Sequence, residues 1–209
     1  MEKQEIRTFG RRHGKKLSER KNFLMENILP KICPTESEPN DILEIGFGAG
    51  EHVRELAQEY PNKIIIGAEP FVNGVAALLS AICDDNNEIR PEYKNIRIFP
   101  DDVRLILNQN KFKFSTIWIL HPDPWPKARH EKRRLLAAEF LNLLGSNLKA
   151  NGQIIIGTDH WEYYDWITEQ VKNTNLIICN SKIETIETRY QKKNMAHTTE
   201  TKYIILTHK

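Results

Sequence analysis

Long apolar runs are missing from this chain of 209 residues. None approaches the roughly 18 residues that a membrane-spanning helix requires, so a function inside a bilayer is not expected. Cysteine is scarce. Cys33, Cys83 and Cys179 are odd in number, lie far apart and form no C-x-x-C pair. That argues against a disulfide framework and a zinc site, and for a reducing compartment. Internal repeats and low-complexity tracts are also lacking. Residues Met1 to Gly10 have no apolar stretch and carry charges of both signs. They read as neither a secretory signal nor, with Glu2 and Glu5 present, a transit peptide; the expected location is cytoplasmic.

What the chain does contain is an ordinary globular composition, 40% hydrophobic and 28% charged. Its net charge of +2 is unevenly spread. Lys and Arg crowd into Lys3 to Lys21 and into Lys127 to Arg134, while acids gather in Glu36 to Asp41 and Asp84 to Glu88. The basic runs point to anion-binding surfaces, with Arg11, Arg12, Arg129, Arg133 and Arg134 as candidates for an RNA backbone. His130 reads as a solvated residue within the second run.

Short Ile-rich runs bounded by Gly, Pro, Asn or Asp predict buried strands at Asp41 to Ile45, Lys63 to Gly67, Ile96 to Phe99, Thr116 to Leu120 and Gln153 to Gly157. Helical patterns lie between them, at Glu51 to Tyr60, Asn73 to Cys83, Val103 to Asn108 and Glu131 to Leu148, with another at Trp161 to Asn173. Trp118 and Trp166 sit in apolar patterns and read as core. This alternation predicts an α/β domain with a mainly parallel sheet. Leu176 to Cys179 and Lys202 to Thr207 have no helical pattern between them, which predicts a terminal antiparallel pairing. Residues 1–40 read as a basic arm with a helix near Glu19 to Leu29, and residues 41–209 as the α/β domain.

Chemistry concentrates at the strand ends. Leu43-Glu44-Ile45-Gly46-Phe47-Gly48-Ala49-Gly50 falls where the first strand turns into the first helix of the sheet. Glycines there let a ligand approach the backbone. The spacing is G-x-G-x-G, shorter than the dinucleotide fingerprint, and with Glu44 in the strand it is the pattern of S-adenosylmethionine-binding methyltransferases. Glu69, followed by Pro70, lies 23 residues after Gly46, at the distance from which a carboxylate accepts hydrogen bonds from both ribose hydroxyls. Asp102 is the candidate acceptor for the adenine amino group, with Asp101 as its rival and helix capping as its alternative role. The expected cofactor set is therefore Glu44, Gly46, Gly48, Gly50, Glu69, Pro70, Asp102 and Asp123, with no metal.

His121-Pro122-Asp123-Pro124-Trp125-Pro126-Lys127 follows the fourth strand. Three prolines stiffen this loop. Asp123 can accept from the N1–H and amino group of a guanine edge, and Trp125 offers an aromatic face.

On these motifs the chain resembles the bacterial tRNA (guanine-N7-)-methyltransferase family. The resemblance covers nearly the whole chain. It includes Arg7 to Arg12, the glycine loop, Gly67 to Phe71, Asn73-Gly74-Val75, Pro122 to Lys127 with the basic residues after it, Thr158-Asp159-His160 and Thr188-Arg189-Tyr190. The proline–tryptophan motif is the specific part. Two positions depart from the pattern: His121 stands where Phe is usual, and Gln191 where Glu is usual. The resemblance implies a Rossmann-like class I fold, S-adenosylmethionine as cofactor and a guanine in the tRNA variable loop as substrate. It also implies substrate contacts from Lys127, Asp159, Thr188, Arg189, Tyr190 and Gln191. Asp123 is the catalytic candidate, with Asp159 beside it, because the methylated ring becomes cationic and needs negative charge nearby. Four other readings compete: an exocyclic-amine methyltransferase, an mRNA-cap guanine-N7 enzyme, a non-catalytic RNA-binding module and a nicotinamide dehydrogenase.

Overall fold

The computed structural model describes residues 8–39, 41–179 and 200–209. Seven strands form one sheet in the order β3-β2-β1-β4-β5-β7-β6. They are β1 (Ile42–Ile45), β2 (Ile65–Ala68), β3 (Ile96–Phe99), β4 (Phe114–Leu120), β5 (Leu148–Thr158), β6 (Leu176–Cys179) and β7 (Lys202–His208). The first five run parallel, and β7 lies antiparallel between β5 and β6. This is a Rossmann-like class I methyltransferase fold. The order reverses between β1 and β4, and the crevice at the carboxyl ends of those strands is where ligands bind in open α/β sheets.

Helices cover both faces: α1 (Glu19–Asn27), α2 (Glu51–Glu59), α3 (Val72–Ile82), α4 (Arg104–Leu107), α5 (Ala138–Ser146) and α6 (Trp161–Val171). Alternate strand residues divide into two cores. Leu43, Ile45, Ile117 and Ile119 join Phe140, Leu141 and Ile167 on one face. Ile42, Ile65, Ile96 and Ile98 join Val53, Leu56, Leu78 and Leu79 on the other. Leu24, Ile28, Leu29 and Ile32 also enter this second core, through which α1 packs on α3.

The helix expected over Glu131 to Leu148 is corrected. A short 3-10 turn spans Ala128–Arg133, the chain extends at Arg134 and Ala137, and α5 begins only at Ala138. Two attachments hold the break. The Arg134 guanidinium lies 5.6 Å from the Tyr163 ring and 5.0 Å from the Trp166 ring, and its Nε donates to the Pro124 carbonyl at 2.9 Å. Leu136 is fully buried beside it. Apolar periodicity alone does not distinguish a continuous helix from one broken to satisfy such contacts. Leu148 belongs to β5, which starts earlier than the sequence indicates and pairs irregularly with β4 near Phe114 and Thr116.

Candidate functional site

A cavity of about 900 Å³ opens over the carboxyl ends of β1, β2 and β4. Gly46, Glu69, Pro70, Asp102, Asp123 and Trp125 line it. Gly46 and Gly48 hold φ of 74° and 59°, in the left-handed region that favours glycine. A side chain at either would project into open space, so the turn leaves a cradle. Gly74, in the first turn of α3, sits so close to the Gly48 carbonyl that a Cβ there would collide with it.

Glu69 is 7% exposed. Its carboxylate accepts the backbone N–H groups of Gly48 at 2.8 Å and Phe71 at 2.9 Å, tying the glycine turn to the end of β2. Burial pushes its pKa up; those two bonds oppose the shift, and the nearby charges of Glu44 and Asp123 add to it. Asp123 is exposed at the cavity mouth.

The two aspartates after β3 differ. Asp102 Oδ1 accepts from the Arg104 backbone N–H and Nε, and Oδ2 from Thr8 Oγ1 at 2.8 Å and Arg104 Nη2 at 2.6 Å. Burial would raise its pKa, but the bonds from Arg104 and Thr8 prevail and hold it below the usual carboxylate value. Asp101 Oδ1 accepts from the Asp102 backbone N–H and from Arg12 at 2.6 Å. Its side chain stays 38% exposed, so it is the more accessible acceptor.

Glu44 faces the other side of the sheet. It is 3% exposed and lies 3.0 Å from Nδ1 of His52, which packs edge-on against Trp118. His52 is a partner that the sequence did not single out, because a lone histidine one residue into a helix carries no pattern.

The proline–tryptophan loop is held from two sides. Arg134 anchors it to α6, as above. Arg133 lies between Trp125, 5.0 Å away, and Phe9, 5.7 Å away, so the N-terminal segment closes over the loop. Trp125 and His121 adopt φ of 42° and 49°, uncommon for residues with side chains. His121 Nδ1 stands 3.7 Å from Asp159 Oδ1. Burial lowers the His121 pKa, against the opposing pull of Asp159. Lys127, Arg129 and Lys132 are exposed on the 3-10 turn, as is Arg11 on the arm. Trp118 is core, and Trp166 is half-buried with Nε1 donating to Glu131 at 2.9 Å. Thr188, Arg189, Tyr190 and Gln191 lie outside the described residues. Among the described residues no cluster has the makings of a metal site, and no helix is long and apolar enough to cross a membrane.

The site belongs to a known lineage. Residues 38–209 match a family described as putative methyltransferase. A tRNA (guanine-N(7)-)-methyltransferase of Neorickettsia sennetsu is 37% identical over 193 residues, covering 91% of this chain and 86% of that protein. The chain belongs to the tRNA (guanine-N(7)-)-methyltransferase family. A relative of the same name from Caulobacter vibrioides is 37% identical, covering 79% of this chain and 76% of its own. Among solved structures, an antibiotic-related methyltransferase matches with TM-score 0.56 at 14% identity, over 93% of this chain and 97% of that one. The 16S rRNA methyltransferase KamB matches with TM-score 0.56 at 10% identity, over 93% and 96%. At such identities these two speak for the fold.

Proposed function

We propose that this methyltransferase takes its methyl group from S-adenosylmethionine and places it on N7 of a guanine in the variable loop of tRNA, in the cytoplasm. The observation that carries the reading is the cavity. A glycine cradle and the buried Glu69 carboxylate line it together with a rigid loop that presents Asp123. The residues suit the cofactor: an open turn, an acceptor for hydroxyl donors, and carboxylates around a cationic group. Glu69 holds the ribose in this reading. Asp101 accepts from the adenine amino group, because Asp102 is filled by Arg104 and Thr8. Gly46, Gly48, Gly50 and Pro70 shape the cradle, and Glu44 supports it from beneath.

Bound there, the cofactor supplies a sulfonium methyl group open to displacement. The N7 lone pair of neutral guanine is already free, so no residue has to remove a proton. The protein's part is alignment and charge. Orientation of this kind supplies roughly 7–11 kcal/mol in well-aligned cases. Asp123 holds the guanine edge and, with Asp159, faces the positive charge that grows on the ring. Lys127, Arg129 and Lys132 meet phosphates, as does Arg11 on the arm formed by residues 1–40; residues 41–209 form the methyltransferase domain. Thr188, Arg189, Tyr190 and Gln191 complete the substrate contacts.

The test is direct. The protein is incubated with labelled S-adenosylmethionine and unmodified tRNA, and the digested nucleosides are identified. 7-Methylguanosine is expected, and it disappears when the variable-loop guanine is replaced by adenine. Label in another nucleoside, or label that persists after the replacement, overturns the reading.

A further inference from the structure

Trp161 is the most exposed large apolar residue among those described, at 52%, and belongs to neither buried cluster. It opens α6 three residues after β5 ends, and two after Asp159. Lys202, the first residue of β7, pairs in register with Thr158 and holds its ammonium over the indole, 2.9 Å from the ring centre. The same ammonium lies 4.7 Å from the Tyr164 ring, one turn along α6. An indole and a cation are thus fixed together at the carboxyl end of the strand next to β4, whose own end carries Asp123. Neighbouring strands lie about 4.8 Å apart, so this ledge sits one strand away from the strand whose end leads into the Asp123 loop. The basic 3-10 turn is tied to the same helix through the Trp166–Glu131 hydrogen bond.

A half-open indole does little for folding, and its placement answers a different need. We propose that Trp161 and Lys202 form a docking ledge for a nucleotide next to the methylated guanine. The base stacks on the face of Trp161 opposite Lys202, and Lys202 takes a phosphate. Stacking is indifferent to base identity because every base has a π-face, so the ledge contributes affinity and register, not sequence choice. RNA is the occupant favoured by charge, since a cation is already held on the ring and Lys127, Arg129 and Lys132 are exposed on the turn next to α6. The inference rests on the proposed tRNA reading and deepens it.

The two side chains predict different signatures in tRNA binding measured across a salt series. Trp161→Ala should weaken binding about 5- to 150-fold with an unchanged log–log salt slope, and Trp161→Phe should restore part of the loss. Lys202→Ala should weaken binding and reduce the slope by about 0.7–0.9. S-Adenosylhomocysteine affinity should stay at the wild-type value in all three, which also shows that they are folded. Wild-type tRNA affinity in Trp161→Ala overturns the ledge while leaving the methyltransferase reading intact. So does a change in oligomeric mass on Trp161→Ala with tRNA affinity kept, because the indole then meets a second copy of the chain. If the wild-type protein neither binds nor methylates tRNA, the parent reading falls and takes the ledge with it.

Discussion

Glu69 stands under opposed demands. The role proposed for it, accepting from two ribose hydroxyls, calls for the ionised form, yet burial favours the neutral one. Glu69→Ala removes a charged acceptor, a loss of roughly 1.5–3 kcal/mol. Calorimetry with S-adenosylhomocysteine should show affinity lower by about 10- to 150-fold, and unchanged affinity in a folded variant would remove Glu69 from the site. The raised pKa has a sign. As pH falls, Glu69 takes up its proton above its ordinary value of 4.5, so cofactor affinity should start to drop before ordinary carboxylates titrate. Folding responds the other way. The folded state binds this proton more tightly than the unfolded chain, so the contribution of Glu69 to stability declines as pH rises through the same window. Glu69→Gln should flatten the cofactor-affinity profile there. In the same cavity, Asp123→Asn keeps loop shape and side-chain volume but removes one charge. Single-turnover methyl transfer at saturating tRNA and cofactor should slow by about 10²–10³. A near-normal rate would shift the charge-stabilising role to Asp159.

The proline–tryptophan loop owes its shape to more than its prolines. Arg134 joins three parts of the chain: the Pro124 carbonyl, the Tyr163 and Trp166 rings of α6, and the extended link before α5. A guanidinium can stack and donate in one plane, whereas an ammonium is a compact point charge. Arg134→Lys keeps the charge and loses that geometry. It should lower the single-turnover rate about tenfold by loosening Asp123, since small misplacements of a reacting group are costly. S-Adenosylhomocysteine affinity should hold, because Glu69 and the glycine turn are tied to each other instead. A rate equal to wild type would mean that the prolines suffice.

Across the whole molecule, the N-terminal segment is stitched to the loop after β3 and to the start of α3. Thr8 donates to Asp102, Arg12 pairs with Asp101, the Arg12 carbonyl accepts from Val72, and Gly14 and Lys15 bond to Asn73. The cations of the two basic runs are unequal. Arg12, Arg133 and Arg134 are engaged with protein groups, while Arg11, Arg129 and Lys132 face solvent. Counterion release should follow that division. Arg129→Ala and Lys132→Ala should each reduce the log–log salt slope of tRNA binding by about 0.7–0.9, and Arg134→Lys should leave it unaltered. Filter binding over a salt series measures this. Equal slopes in all three variants would make the basic turn a solvated face.

Local pattern determined much of this protein. Ile-rich runs between turn residues marked the strands, because a strand buried on both faces must be apolar throughout. The G-x-G-x-G spacing marked the cradle, because the left-handed backbone at Gly46 and Gly48 favours glycine. Three prolines around Asp123 and Trp125 marked the rigid loop. What sequence left open depended on partners distant along the chain. Asp101 and Asp102 are alike as neighbours; Asp102 is taken up by Arg104 and Thr8, whereas Asp101 pairs with Arg12 and stays partly exposed. Glu44 belongs to the expected cofactor set, and its partner His52, 3.0 Å away, carries no sequence pattern. The residues from Glu131 to Leu148 carry a helical pattern, yet the chain breaks at Arg134 because the rings of Tyr163 and Trp166 and the carbonyl of Pro124 converge there. Periodicity records which faces are apolar; which guanidinium meets which ring is decided only when the sheet brings α6 beside the loop.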